Sequence, residues 1–483
     1  MIVEDTWTWG VLLLCALHAA GLFLAFRAMT DSRTPQGSLA WMFALTALPY
    51  ASIPLYFALG SRRFKGYVQA RRRSSRCDTE LLSVTRQVQE QLRAFAWPLD
   101  GTPMERIKGL QNLVSLPLCG GNAARLLVDG EETYRELLDA VRHAQNYILL
   151  EFYIIKNDWA GARLKDLMIE RAEAGVRVYM IYDEIGSHKL PPGYIRQLKK
   201  AGVHIVAFNG KRFFLTNIVR FNFRNHRKLV IVDGRQAFVG GLNVGVEYMG
   251  RGSMGYWRDT FVKIDGPAVL EAQLSFVEDW HWATYGGMPA CDWNAFDPQA
   301  GRTPVLMLPS GPVDPINAWQ MTLVLLAQMA TKRIWLTTPY FVPNESVISS
   351  LQMAALRGVE IRILVPYACD HRLVQLSSVT FLPELLPYGI ELYAYNKGFL
   401  HEKVALVDDD YCTVGTANLD NRSLSLNFEL TALICDRDTA AEVKKMLRED
   451  FSHAVRLQPA DWDRHSLLFK MVSSFARLMA PIQ

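Results

Sequence analysis

Two stretches of this chain carry the same polar residues in the same register. The first places His226, Lys228, Asp233, Gly240 and Asn243; the second places His401, Lys403, Asp408, Gly415 and Asn418. The offset is constant: 401 − 226, 403 − 228, 408 − 233 and 418 − 243 are all 175. An apolar run follows each lysine, Leu-Val-Ile-Val over 229–232 and Val-Ala-Leu-Val over 404–407. A single His-x-Lys beside a strand is ordinarily a solvated edge. Two copies within matching apolar frames mark an internal repeat, which restricts the chain to folds made of two similar units.

The flanking text follows the same plan. Buried strands are predicted over 147–155, 175–183 and 203–208, separated by helices over 164–174 and 195–201, with a further helix over 134–143. The second half repeats this with helix 319–330, strand 333–341, helix 347–357, strand 358–365 and strand 388–395. Gly175 and Gly358 lie 358 − 175 = 183 apart, whereas Gly202 and Gly389 lie 389 − 202 = 187 apart. The changing offset places loop insertions between two copies of one fold. Alternating strands and helices imply βαβ units. The expected class is therefore α/β, with two pseudo-symmetric α-β-α halves and mainly parallel sheets. The stretch 280–303, rich in Gly, Pro and Asp, is the expected boundary.

Upstream, residues 7–26 hold no Asp, Glu, Lys or Arg, a length that matches the hydrocarbon thickness of a bilayer. A second uncharged span, 39–59, contains Pro49 and Pro54 as expected kinks. Glu4 and Asp5 occupy the place where a signal peptide has its basic residues, so two membrane helices are favoured over a cleaved leader. Arg62, Arg63, Lys65, Arg71, Arg72, Arg73 and Arg76 follow directly, with no acid among them. That bias puts the remainder of the chain on the cytoplasmic side, and the run can attract anionic head groups. A helical connector is predicted over 79–96. Net charge of only +4 gives no sign of a nucleic-acid binder. Seven scattered cysteines without a C-x-x-C give neither a disulfide framework nor a zinc site.

The expected organisation is 1–60 as two transmembrane helices and 61–103 as a basic juxtamembrane connector. The two halves then occupy 104–295 and 296–483, the second ending in a C-terminal amphipathic helix over 467–479. A cluster of Phe208, Phe213, Phe214, Phe221 and Phe223 with Lys211, Arg212, Arg220 and Arg224 precedes the first motif. It suits either a lipid surface or a core segment with a solvated loop.

On a strand, residues two apart share a face, which pairs His226 with Lys228 and His401 with Lys403. Two such faces around one point suit a phosphodiester. One neutral imidazole can attack phosphorus, and the other, protonated, can donate to the leaving alkoxide and later accept a proton from the incoming alcohol. The lysines and the amides of Asn243 and Asn418 can hold the non-bridging oxygens. No metal or cofactor is needed. The full motif set, Asp233 and Asp408 included, is the candidate catalytic set. Yet each aspartate lies an odd step of five from its lysine, so a structural role at the strand end is the better expectation for it.

Further segments narrow the match. They are Phe223-Arg224-Asn225-His226-Arg227-Lys228, Trp257-Arg258-Asp259-Thr260, Pro309-Ser310-Gly311-Pro312 and Thr338-Pro339-Tyr340-Phe341-Val342-Pro343. With the doubled H-x-K-x4-D and G-[GST]-x-N motifs, they resemble the bacterial cardiolipin synthases of the phospholipase D superfamily. The resemblance implies transfer of a phosphatidyl group between two phosphatidylglycerol molecules, giving cardiolipin and glycerol through a phosphohistidine. It implies His226 as nucleophile and His401 as acid and then base. It also implies that Glu429 orients His401, while Asp259, or alternatively Glu247, orients His226. A carboxylate bonded to an imidazole raises its pKa, which would suit Glu429 to the acid. Hydrolysis of the same intermediate, as in a membrane-bound phospholipase D-type phosphodiesterase, and transfer to another acceptor stay open. The implied setting is the bacterial inner membrane, multi-pass, with anionic lipids as partners, no nucleic acid, and a homo-oligomer left open.

Overall fold

The computed structural model describes residues 2–31, 35–60, 79–99, 104–208, 223–252, 254–314 and 316–480. The basic run after Gly60 and the aromatic and basic residues from 209 to 222 lie outside them. The chain divides into two compact units, Met1–Arg71 with Lys211–Arg224, and Arg72–Gly210 with Asn225–Gln483.

In the first unit, helix Ile2–Asp31 contains Thr8–Met29, which has the length and apolar composition to cross a membrane. The second expected span is not one helix. Pro35–Ala47 stops before Leu48, Pro49–Leu55 follows, and Tyr56–Gly60 widens into a π turn. Pro49 brings no amide to continue the ladder, and its ring bars the helical conformation from the residue before it. Leu48 accordingly sits at φ −137°. Leu24, Ala25, Ala28, Leu45 and Tyr56 form this unit's small core.

The second unit is built on one hydrogen-bonded sheet of 16 strands. In chain order the strands that matter are β1 (Cys119–Val128), β2 (Tyr147–Phe152), β3 (Arg177–Tyr182), β4 (His204–Ala207), β5 (Leu229–Val232), β6 (Gln236–Gly240) and β7 (Thr260–Asp265). They continue with β8 (Thr303–Ser310), β9 (Arg333–Thr337), β10 (Glu360–Pro366), β11 (Glu391–Tyr395), β12 (Val404–Val407), β13 (Tyr411–Gly415), β14 (Asn427–Ile434) and β15 (Ala454–Arg456). Their order across the sheet is β15-β11-β10-β9-β12-β13-β14-β8-β1-β7-β6-β5-β2-β3-β4. From the central β1–β8 pair outward, the order β7-β6-β5-β2-β3-β4 on one side matches β14-β13-β12-β9-β10-β11 on the other.

The expectation of mainly parallel sheets is corrected to a mixed sheet. Only β2–β3, β3–β4, β9–β10 and β10–β11 pair in parallel along this path. The reason was inside the motif. Asp233-Gly234-Arg235 and Asp408-Asp409-Asp410 are hairpin turns joining β5 to β6 and β12 to β13. Three residues are far too few for a parallel crossover.

Strand β1 turns a corner that folds the sheet over. Its residues Cys119 and Asn122 pair with β8, and Ala123 to Val128 pair with β7. Between them Gly121 adopts φ +79°, a conformation open to glycine at little cost. Asn122 fills the irregularity, donating to the Cys119 and Thr303 carbonyls at 2.7 and 3.1 Å and accepting from the Ala268 amide at 2.8 Å. The fold-over packs β6 and β7 against β13 and β14. Each half keeps its own core. The second half's core also takes residues from before the expected boundary: Val88, Leu92, Ile107, Leu110 and Leu118, with Leu270 and Leu274, belong to one cluster with Trp319, Leu323 and Leu326. The segment leading into β1 therefore serves the later half, because its apolar positions pack against helix Ala318–Met329.

Candidate active site

The His-x-Lys residues lead into β5 and β12 rather than lying on them. What positions them is the opposite half. The His226 amide donates to the Phe428 carbonyl at 2.9 Å, and the His401 amide donates to the Arg258 carbonyl at 2.8 Å. Leu400 and Phe399 run parallel to Arg258 and Trp257 as a short ladder. The residue following each accepting carbonyl is a buried carboxylate, Glu429 and Asp259.

The carboxylates are crossed. His226 Nδ1 lies 3.0 and 2.9 Å from the Glu429 oxygens, and His401 Nδ1 lies 2.6 Å from Asp259 Oδ2. The expected pairing of Glu429 with His401 and Asp259 with His226 is thus exchanged. The physical cause is the fold-over: β14 and the approach to β7 each lie against the other half's motif. Glu247, the alternative partner of His226, instead pairs with Lys156 at 2.7 Å.

Glu429 is held on all sides. Thr416 Oγ1 and Ser423 Oγ donate to it at 2.6 and 2.8 Å, and Asn427 Nδ2 at 3.2 Å. Thr416 stands where the first motif has Gly241. A Cβ at Gly241 would collide with the Asp259 carboxylate, so the glycine there clears space for it. Lys228 Nζ donates to the His226 carbonyl at 2.6 Å, and Lys403 Nζ donates to the His401 carbonyl and lies 3.0 Å from His401 Nδ1. Tyr153 meets the His226 ring edge-to-face at 4.9 Å and carries Lys228 over its own face at 5.4 Å. Tyr248, Trp257 and Phe399 surround His401 at 5.7, 5.3 and 5.8 Å.

Two expected contributors are elsewhere. Asp233 and Asp408 turn away at the strand ends, each with a left-handed φ of +54° and +56°. Asp233 accepts the amides of Gln145, Asn146 and Tyr147 at 2.8, 2.6 and 2.9 Å. Asp408 accepts those of Thr331, Lys332 and Arg333 at 3.0, 2.7 and 3.0 Å. Their place in the candidate catalytic set is corrected: they tie β2 and β9 to the hairpins, as the odd spacing foretold. Asn243 Nδ2 donates to Tyr248 at 2.9 Å while its Oδ1 accepts the Ile154 amide at 3.0 Å. Asn418 Nδ2 donates to Asp420 at 3.2 Å. Each amide nitrogen carries two hydrogens, so each of these bonds uses one of them.

This constellation can be set beside known proteins. The family model described as "Cardiolipin synthase, PLD-like domain" matches residues 137–280 and 323–451. Cardiolipin synthase A of Pseudomonas putida (strain W619) is 39% identical over 470 residues, covering 96% of this chain and 97% of that protein. Cardiolipin synthase A of Pseudomonas aeruginosa (strain LESB58) is 39% identical over 478 residues, covering 98% and 96%. This chain belongs to the cardiolipin synthase family of the phospholipase D superfamily. Its fold is shared by the crystal structure of phosphatidylserine synthase from Haemophilus influenzae Rd KW20, at a TM-score of 0.60 and 16% identity, covering 78% of this chain and 100% of that one.

In this cardiolipin synthase-family site both imidazoles are held neutral. Burial pushes His226 down to about 4, with Glu429 pulling it up and Lys228 and Lys403 pushing it further down. Burial, Lys403 and Lys228 drive His401 well below its usual range. Burial also lowers Lys403 to about 8 and Lys228 well below its ordinary value. Burial raises Asp259 to about 6 despite Lys403. For Glu429 burial opposes the charge, but the hydrogen bond to His226, the nearby Lys228 and the Thr416 hydroxyl hold the carboxyl below its usual range. An Nδ1–H donated to a carboxylate leaves the lone pair on Nε2, and neither Nε2 is hydrogen-bonded to a described residue. The site thus presents two unpaired ring nitrogens beside two buried lysine side chains.

Sequence reasoning missed Tyr153, Thr416, Ser423 and Asn427. Thr416 alone carried a signal, as the variable position of the second Gly-x-x-Asn element.

Proposed function

We propose that this chain is a phosphatidyltransferase that makes cardiolipin. The observation that carries the reading is the pair of buried imidazoles, each backed by a carboxylate from the other half, with the buried Lys228 and Lys403 beside them. We read the repeated strand order as two pseudo-symmetric phospholipase D-like halves that contribute equally to one site.

In the proposed reaction, Lys228 and Lys403 hold the phosphate of one phosphatidylglycerol. Nε2 of one histidine attacks phosphorus and the phosphorus–oxygen bond to glycerol breaks. The second histidine, protonated once the anionic phosphate offsets the lysines, gives its proton to the departing glycerol oxygen. The hydroxyl of a second phosphatidylglycerol then loses a proton to that histidine and attacks, releasing the first histidine and forming cardiolipin. One phosphodiester replaces another, so no nucleotide is consumed.

We assign attack to His226 and proton transfer to His401. The crossed carboxylates remove the earlier support for this order, since Glu429 does not touch His401. They supply another: the ionised Glu429 raises the basicity of His226 Nε2, which serves a nucleophile. His401, held below its usual range by burial, Lys403 and Lys228, is a strong acid once protonated.

Residues of the first unit suit a membrane hairpin, with the catalytic unit in the cytoplasm of a bacterial cell. Labelling of intact cells from outside should leave Cys369 unmodified. The activity test is incubation of purified protein with labelled phosphatidylglycerol and chromatography of the lipids. Cardiolipin and free glycerol support the reading; phosphatidic acid as the main product makes the chain a phospholipase instead.

A further inference from the structure

The last helix, Leu467–Leu478, is built inside out for a water-soluble surface. Its small residues face the protein: Ser473 is 0% and Ala476 1% exposed. Its large apolar residues face outward, with Leu467 75%, Leu468 71%, Met471 61%, Phe475 65% and Leu478 75% exposed. At 100° per residue these outward positions fall on one side. The helix is anchored, not loose. Ser466 caps it through the Phe469 amide at 3.2 Å, and Arg477 pairs with Glu384 and lies 4.2 Å over the Phe381 ring. Helix Arg372–Ser378 packs beside it and exposes Leu373 as well.

The geometry points to an anionic lipid leaflet as the partner of this face: the helix lies in the membrane interface and holds its unit against the bilayer surface. Charge favours lipid over a second copy of the chain. Past Asp461 and Asp463 the sequence contains Arg464, Lys470 and Arg477 and no Asp or Glu, and with Arg477 paired to Glu384 the cations left for a partner are Arg464 and Lys470. Lys470 is drawn over the Trp462 ring at 5.5 Å, at the polar flank of the helix. An apolar face bordered by cations and an indole is the composition of an interfacial helix. The same chain also carries an apolar helix with the length and composition to cross a bilayer. The inference concerns docking and does not rest on the identity of the reaction.

The test uses the full chain in nanodiscs containing phosphatidylglycerol, with a photoreactive benzoylphenylalanine replacing Phe475 and, as control, Lys445 on the exposed face of helix Arg437–Ser452. Irradiation should attach phospholipid to the peptide at position 475, with little at 445. Each basic side chain at an anionic surface strengthens partition by roughly fivefold. The double variant Arg464→Gln, Lys470→Gln should therefore cut the adduct sharply on anionic discs and little on phosphatidylcholine discs. Chain-to-chain adducts as the main product would replace the leaflet with a second copy, and equal labelling at 475 and 445 would overturn the proposal. Leu468→Ser with Met471→Ser, both outward-facing, should lower the adduct at 475 without lowering the melting temperature. Adduct formation is read without turnover, so its failure leaves the phosphatidyl-transfer reading standing, and the reverse.

Discussion

Glu429→Gln separates the crossed arrangement from an uncrossed one. The substitution keeps the shape and removes the charge that His226 Nδ1 faces at 2.9 Å. It also leaves Thr416, Ser423 and Asn427 donating to an amide with a single acceptor oxygen. A hydrogen bond to a charged group contributes about 1.5–3 kcal/mol, which corresponds to roughly 10- to 150-fold in rate. The loss should fall on phosphoenzyme formation. With a phosphatidyl substrate bearing a good leaving group, which needs no acid, single-turnover quench should show slow phosphohistidine formation in Glu429→Gln. Asp259→Asn should form it at close to the parental rate, yet fail with phosphatidylglycerol, where glycerol must be protonated. A double-mutant cycle should couple Glu429 to His226 and leave it nearly additive with His401. The opposite pattern, with Asp259→Asn blocking phosphoenzyme from the activated substrate, would refute either the crossing or the assignment of His226 as nucleophile.

Three further outcomes follow from the same geometry. The alkaline limb of kcat/KM should lie near 8, where Lys403 loses its proton in the free enzyme and with it the charge that holds phosphate; Lys403→Arg should lower activity and abolish that limb, and an unchanged limb would remove Lys403 from the phosphate site. Asp408→Ala strips three amides at the entry to β9 of their acceptor and should cost about 3 kcal/mol of stability, seen in denaturant melts, with kcat of the folded fraction little changed; a lost kcat at unchanged stability would restore Asp408 to the chemistry. Turnover should persist in EDTA, because two imidazoles and two lysines supply nucleophile, acid and cations; complete loss reversed by added metal would count against the mechanism.

The sequence by itself determined the repeat, and from it most of the chemistry. His226, Lys228, His401 and Lys403 were legible because the motif recurs at one offset, and Asp233 and Asp408 were expected at the strand ends, where they open the hairpin turns. The helices and the parallel strands β2, β3, β9 and β10 announced themselves by apolar runs. Strands β1 and β8 did not: Cys-Gly-Gly-Asn opens one, and Pro304 and Pro309 interrupt the other. They carry weak strand signals because they form the joint between the halves, where β1 bends at Gly121 and Asn122. That joint decided what sequence spacing could not. Glu429 follows His401 by 28 residues and Asp259 follows His226 by 33, so each carboxylate reads as belonging to its own half. Folding the sheet over at β1 exchanges them. Which carboxylate meets which imidazole depends on contacts between segments 203 and 142 residues apart, and only the packing of one half on the other sets those distances.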